Sequence, residues 1–204
     1  QPARINPHIP VEDTIGAVAD LVKAGYVRSV GITEIDAETL RRAHAVHPIS
    51  LVEVRYSLLD RDIEEGILPT ARELGIDVVT FANLFHGVIG GSNPAGKVAG
   101  LSQRMPPQAA EKLKQAVSRL ELLKEMADVS VSQLAIAWVL AQGDDILALV
   151  GSRTVDQLHD TVKAIDINLS PEDLQRIEQI IPKEYASNSA MLPINLDENG
   201  LFKF

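Results

Sequence analysis

Apolar positions along the first eighty residues switch between a helical and an extended period. Residues 11–24 place Ile15, Val18, Ala19 and Val22 on one helical face, with Gly25 as the stop. Residues 27–32, Val-Arg-Ser-Val-Gly-Ile, read as a short strand. Asp36 is the expected N-cap of a helix through Leu40, Ala43 and Val46, which Pro48 ends. A second strand is expected over 51–56, a helix over 60–74 closed by Gly75, and a third strand over 77–82. The repeat is about 25 residues, the spacing of a strand followed by one crossover helix.

The segment 83–107 breaks this rhythm. It is rich in Gly, Ser, Asn and Pro and reads as a loop inserted over a site. Residues 108–127 form a charged amphipathic helical pattern, and 131–141, with Trp138, a nearly all-apolar helix expected to be buried. An apolar run over 146–150 reads as a fourth strand. It turns through Gly151-Ser152 into a helix with Thr154 as N-cap, running to Ala164. Such a turn points backbone N–H groups and a positive dipole end outward, which suits an anion. Arg153 adds a planar fork of donors matched to phosphate. The alternative is an ordinary strand–helix connection with a solvated arginine. Ser170-Pro171-Glu172-Asp173 opens a last helix, and 182–204 are expected to be irregular. Four strands joined by helices form an open doubly wound sheet or part of a closed barrel, in a single domain over 1–204.

Composition narrows the function. The chain has 204 residues, 46% of them hydrophobic, which is enough to bury a core. A net charge of −9 without a basic tract argues against nucleic acid or an acidic membrane as partner, while leaving room for a small anionic ligand. With no cysteine there is no disulfide framework, thiolate metal site or cysteine nucleophile, which is compatible with a cytoplasmic location. No apolar run is long enough to span a bilayer, and no signal peptide is visible. His44 and His47 stand three apart with no carboxylate or third histidine beside them, so no metal site is expected. The chain begins Gln1-Pro2 rather than with methionine and reads as cut.

Several segments then stand together in order and spacing. They are 27–34 (Val-Arg-Ser-Val-Gly-Ile-Thr-Glu), Leu40-Arg41-Arg42-Ala43-His44 with Pro48-Ile49, and Tyr56-Ser57-Leu58. Residues 133–140 (Gln-Leu-Ala-Ile-Ala-Trp-Val-Leu) and Gly151-Ser152-Arg153 through Gln157-Leu158 continue the series. From about Val11 to Ile181 the chain resembles the aldo-keto reductases. The resemblance implies an α/β fold, the (β/α)8 TIM barrel, of which this chain carries about the second half, strands 5–8 and their helices. It implies an NADPH-dependent oxidoreductase that reduces aldehyde or ketone groups of a small carbonyl substrate to alcohols by hydride transfer.

The same resemblance assigns roles by position. Thr33 falls where the family has a serine contacting the nicotinamide carboxamide, Glu34 follows it, and Glu53 replaces a glutamine on the same group. A carboxylate at Glu53 can accept but not donate a hydrogen bond. Phe81 takes the place of the aromatic ring that stacks on the nicotinamide. Asn83, Leu84 and Gly87 belong to a loop over the pyrophosphate, usually Pro-Leu-Gly-x-Gly, with Phe85 and His86 as departures. Gly151, Ser152, Arg153 and Gln157 match the adenosine-phosphate end, where Arg153 favours NADPH over NADH. Asp160 and Thr161 stand at the adenine in place of Glu-Asn. The tyrosine, lysine, aspartate and histidine that deliver the proton lie on the family's first four strands. The resemblance therefore places no catalytic residue in this chain, which alone is expected to be inactive until an N-terminal half-barrel completes the fold. The alternatives are a non-catalytic nucleotide-binding or regulatory subunit, or a half-barrel that is structural only.

Overall fold

A computed structural model describes residues 1–2, 5–6, 8–91, 93–126 and 128–186. The expected irregular tail lies outside the described residues beyond 186, as does Ala127 at the expected end of the 108–127 helix. The chain forms two compact units, one from residues 1–54 and 63–79 and the other from 55–62 and 80–186.

In the first unit, α1 (Val11–Lys23) buries Val11, Ile15 and Ala19; of the expected face Ile15 and Ala19 are buried, while Val18 and Val22 are half-buried. Strand β1 (Val30–Thr33) is buried along its whole length. It begins three residues later than expected, because Arg28 and Ser29 are exposed and the ladder starts only at Val30 opposite Ile49. Helix α2 (Ala37–Val46) starts where its cap predicts: the Asp36 carboxylate accepts from the Thr39 N–H at 2.7 Å. Strand β2 (Ile49–Arg55) pairs in parallel with β1, which sets Thr33 opposite Glu53. The helix expected over 60–74 is two pieces, a 3-10 turn at Asp62–Glu65 and α3 (Ile67–Leu74). Gly66 separates them at φ −133°, ψ −77°, outside the helical region. Gly75 ends α3 in the left-handed conformation, φ 66°, and the chain enters β3 (Asp77–Phe81), neighbour of β2.

In the second unit, the last residues of β3, Thr80 and Phe81, lie beside β4 (Ile146–Ala148), the Leu149 N–H donating to the Thr80 carbonyl at 2.7 Å. The fourth strand is shorter than expected, and Leu147 and Leu149 are exposed. The segment 83–107 is not a bare loop. It holds a 3-10 turn at Phe85–Gly87 and helix α4 (Pro94–Ser102), started by the Asn93 side chain on the Gly96 N–H and by Pro94 in the first turn. Helices α5 (Pro107–Leu120), α6 (Val131–Leu140), α7 (Val155–Val162) and α8 (Pro171–Ile180) follow.

Helix α6 forms the unit's core, as its composition requires. Every residue from Val131 to Val139 except Ser132 is buried, and Ser130 and Gln133 form a capping box at its start. The Trp138 ring lies 5.3 Å from Tyr56, and the Arg61 guanidinium sits 5.1 Å over it. Arg61 also reaches the Glu178 carboxylate at 2.6 Å, so this cation is held on both sides. Helix α7 differs: it buries no residue, and Val155, Leu158 and Val162 face outward.

Candidate functional site

Positive φ at a residue other than glycine is strained and tends to accumulate where a chain is shaped for binding. Among the described residues it occurs at Glu34, Ala82, Phe85 and His86, with φ of 49°, 54°, 43° and 56°. Glu34 directly follows β1 and Ala82 directly follows β3, so the strain gathers at the C-terminal ends of strands. In α/β folds that end carries the ligand.

In the first unit the residues assigned to the carboxamide are joined by one carbonyl. The Thr33 hydroxyl donates to the Glu53 carbonyl oxygen at 3.0 Å, and the Glu34 N–H donates to the same oxygen at 3.0 Å. The Glu53 carboxylate accepts from the Gln1 side-chain amide, the acceptor role its chemistry allows.

The second unit contains a cavity of about 460 Å³. Asn83, Leu84, Gly87, Gly151, Ser152, Arg153, Gln157, Asp160 and Thr161 all line it, so these expected site residues share one wall system. Phe81, at the end of β3, is not among its lining residues; its carbonyl accepts from the Tyr56 N–H at 3.2 Å. Thr33, Glu34 and Glu53 belong to the first unit.

Each wall has a local cause. Thr154 caps α7, accepting from the Gln157 N–H at 3.2 Å, and the Gln157 side chain reaches back to accept from the Arg153 N–H at 2.9 Å. This pair of bonds holds the turn that carries Arg153 at the mouth. Asp160 is positioned by the Gln133 amide, which donates to its carboxylate at 2.7 Å and its carbonyl at 2.9 Å. Asn83 is buried, and its amide donates to the Tyr56 carbonyl at 3.0 Å and the Thr80 hydroxyl at 2.9 Å. It therefore clamps the exit of β3 rather than facing outward as a loop residue. Gly90 and Gly91 allow the close turn beneath: a Cβ on Gly91 would lie 2.1 Å from the Gly87 carbonyl oxygen.

Lys97, Ser132, Asn93 and His86 also line the cavity. Sequence reading left Lys97 in a loop, although the Asn93-Pro94 pair is a helix-start signal that would have placed it on the first turns of a helix. His86 is held below the ordinary histidine range by desolvation of its ring and then by the Arg55 and Lys97 cations, although the residue keeps a solvent-exposed edge. With Arg153, Lys97 and His86 around it, the cavity suits a small anion. Two buried oxygens on its lining residues, Ser152 Oγ and Asn83 Oδ1, lack a hydrogen-bond partner among the described residues.

Other residues noted in the sequence have packing roles. His44 Nδ1 accepts from the Ile49 N–H at 3.2 Å, tying α2 to the start of β2. Among the described residues no group of three or more His, Cys, Asp or Glu side chains is arranged to hold a metal. Nor is any helix long and apolar enough to cross a membrane.

The aldo/keto reductase family model matches residues 1–182. A protein of Glycine max named "Probable aldo-keto reductase 1" is 36% identical over 184 residues, covering 88% of this chain and 53% of its own length. The solved structure of a thermostable aldo-keto reductase in complex with the inhibitor epalrestat superposes with a TM-score of 0.64 at 24% identity. That match covers 87% of this chain and 57% of the other, and it is a likeness of fold. The chain spans about half the length of the curated relative it matches.

Proposed function

Because the chain belongs to the aldo/keto reductase family, we propose that the cavity of the second unit holds the adenosine-phosphate end of NADPH. The protein it serves is an oxidoreductase reducing a small aldehyde or ketone to an alcohol. The observation that carries this reading is the turn after β4, where Ser152 Oγ is buried with no hydrogen-bond partner among the described residues, in the lining of the same cavity as Arg153 and Lys97. A hydroxyl donor and two cations fit a phosphate, which offers only acceptors and negative charge at neutral pH. Gly90 and Gly91 support the same fit by keeping side chains out of the turn beneath.

In this reading the bound nicotinamide supplies a hydride equivalent, and the residues of this chain bind and orient. Arg153 discriminates NADPH from NADH by facing the additional phosphate, and Ser152 donates to a phosphate oxygen. Gln157 and Thr154 hold the turn in register. Asp160 and Thr161 border the adenine, and Asn83, Leu84 and Gly87 flank the pyrophosphate. Thr33, Glu34 and Glu53 contact the carboxamide and Phe81 stacks on the ring, assignments that rest on the resemblance. The compartment in this reading is the cytosol, with which the absence of cysteine is compatible.

The proton donor and the rest of the barrel are assigned to a further half. One observation favours this: helix α7 and the turn after it leave Val155, Leu158, Val162 and Ile165 uncovered.

The test is a titration of the full chain with NADPH, followed by the fluorescence of the reduced nicotinamide. Saturable binding in roughly the micromolar range is expected, without carbonyl-dependent consumption of NADPH by the chain alone. Failure to bind NADPH at all would overturn the reading.

A further inference from the structure

We propose that His86 is a proton-linked anion contact: its imidazole takes up a proton from solvent when a phosphate-bearing ligand enters the second unit's cavity. This rests on the reading of the cavity just given and deepens it by assigning a residue and a direction of pH dependence.

The geometry places the ring in an unusual position. His86 sits in the 3-10 turn Phe85–Gly87 with φ 56° and ψ 25°, left-handed backbone that a β-carbon normally resists. The Phe85 ring packs edge-on against it, centroids 5.8 Å apart at 69°. The residue lines the cavity together with Lys97 and Arg153. The charged groups bearing on the ring are Arg55 at the end of β2 and Lys97 on α4. Arg153 and Asp160 lie on the same wall system, with the Asp160 carboxylate occupied by the Gln133 amide. In the free protein desolvation of the ring, and then the two nearby cations, oppose an imidazolium. A phosphate reverses the sign of the local field: it neutralises Lys97 and Arg153 and offers an acceptor to a protonated ring.

The linkage has one sign. Ligand binding raises the His86 pKa in the complex above its value in the free protein. The added affinity is fully present below the free-protein value, which lies under the ordinary 6.5, and is lost as pH rises through the value in the complex. Affinity for the phosphate-bearing ligand therefore falls with rising pH.

Calorimetric titration of the full chain with NADPH at pH 6.5, in buffers of different ionisation enthalpy, measures the protons taken up on binding. Net proton uptake is expected in the unmodified protein and its loss in His86→Asn, asparagine being the non-glycine residue best suited to the left-handed conformation. From pH 6 to pH 8 the dissociation constant should rise, and across the whole span from below the free-protein pKa to above the pKa in the complex the rise is about tenfold for each unit that the ligand raises it. NADH is titrated in parallel because it lacks the extra phosphate whose own titration would add to the signal. Should His86→Asn fail to fold, the titration of the His86 ring proton by NMR, with and without NADPH, gives the shift directly. NADPH binding with the same proton uptake in both proteins, or an unshifted ring, overturns this proposal and leaves the functional reading standing. No binding of NADPH overturns both.

Discussion

After β1 the chain closes its polar groups on themselves, whereas after β4 it leaves them facing a cavity. At the first exit, Thr33 Oγ1 and the Glu34 N–H both terminate on the Glu53 carbonyl at 3.0 Å. At the second, Gln157 and Thr154 fix the backbone, while Ser152 Oγ has no partner among the described residues and Arg153 lines an open volume. The same topological event, a strand turning toward a helix, leaves its polar groups paired at one end and facing a cavity at the other. Both helix starts are capped, α2 by Asp36 and α7 by Thr154, so the difference lies in the residues just after the strands: Thr33 Oγ1 is bonded to the neighbouring strand, and Ser152 Oγ has no partner among the described residues.

The largest effect is expected at the turn under the cavity. In Gly91→Ala the new Cβ would lie 2.1 Å from a backbone oxygen, which cannot move without opening the turn. A stability loss of about 1–3 kcal/mol in urea unfolding is expected, the usual cost of overpacking. NADPH affinity should fall more than about tenfold, the factor matching 1.4 kcal/mol. Unchanged binding would mean that this turn does not shape the site. A smaller effect is expected at the first exit. Thr33→Val removes one hydrogen bond and should cost about 1 kcal/mol in unfolding free energy. The preference for NADPH over NADH should stay as it was, and a changed preference would erase the distinction between the two exits.

Much of the architecture was legible because its signals are local. Asp36, Thr154 and Ser170 each accept from the N–H three residues on, and Gly75 terminates α3 in the left-handed region. These residues act through neighbours in sequence, so no tertiary information is needed to see them. Of the candidate cavity's lining, the part that follows a strand end, Gly151 to Arg153 with Gln157, was legible. The lining was not legible where packing decides. Lys97 and Ser132 reach the cavity from helices remote in sequence, and Asn83 turned inward to clamp Tyr56 and Thr80. Composition misled in 83–107, where glycine and proline suggested loop while Asn93 and Pro94 start α4. Helix α7 shows the same limit of local pattern: Val155, Leu158 and Val162 have the spacing of a buried face and are exposed.

If the turn after β4 selects a phosphate-bearing nucleotide through Arg153, parallel titrations of the unmodified chain and Arg153→Ala with NADPH and NADH will show it. The substitution should weaken NADPH by about tenfold, a modest figure because Arg153 is solvent-exposed, and leave NADH within about threefold. Equal affinities for the two nucleotides in the unmodified protein, or equal losses for both in Arg153→Ala, would contradict it.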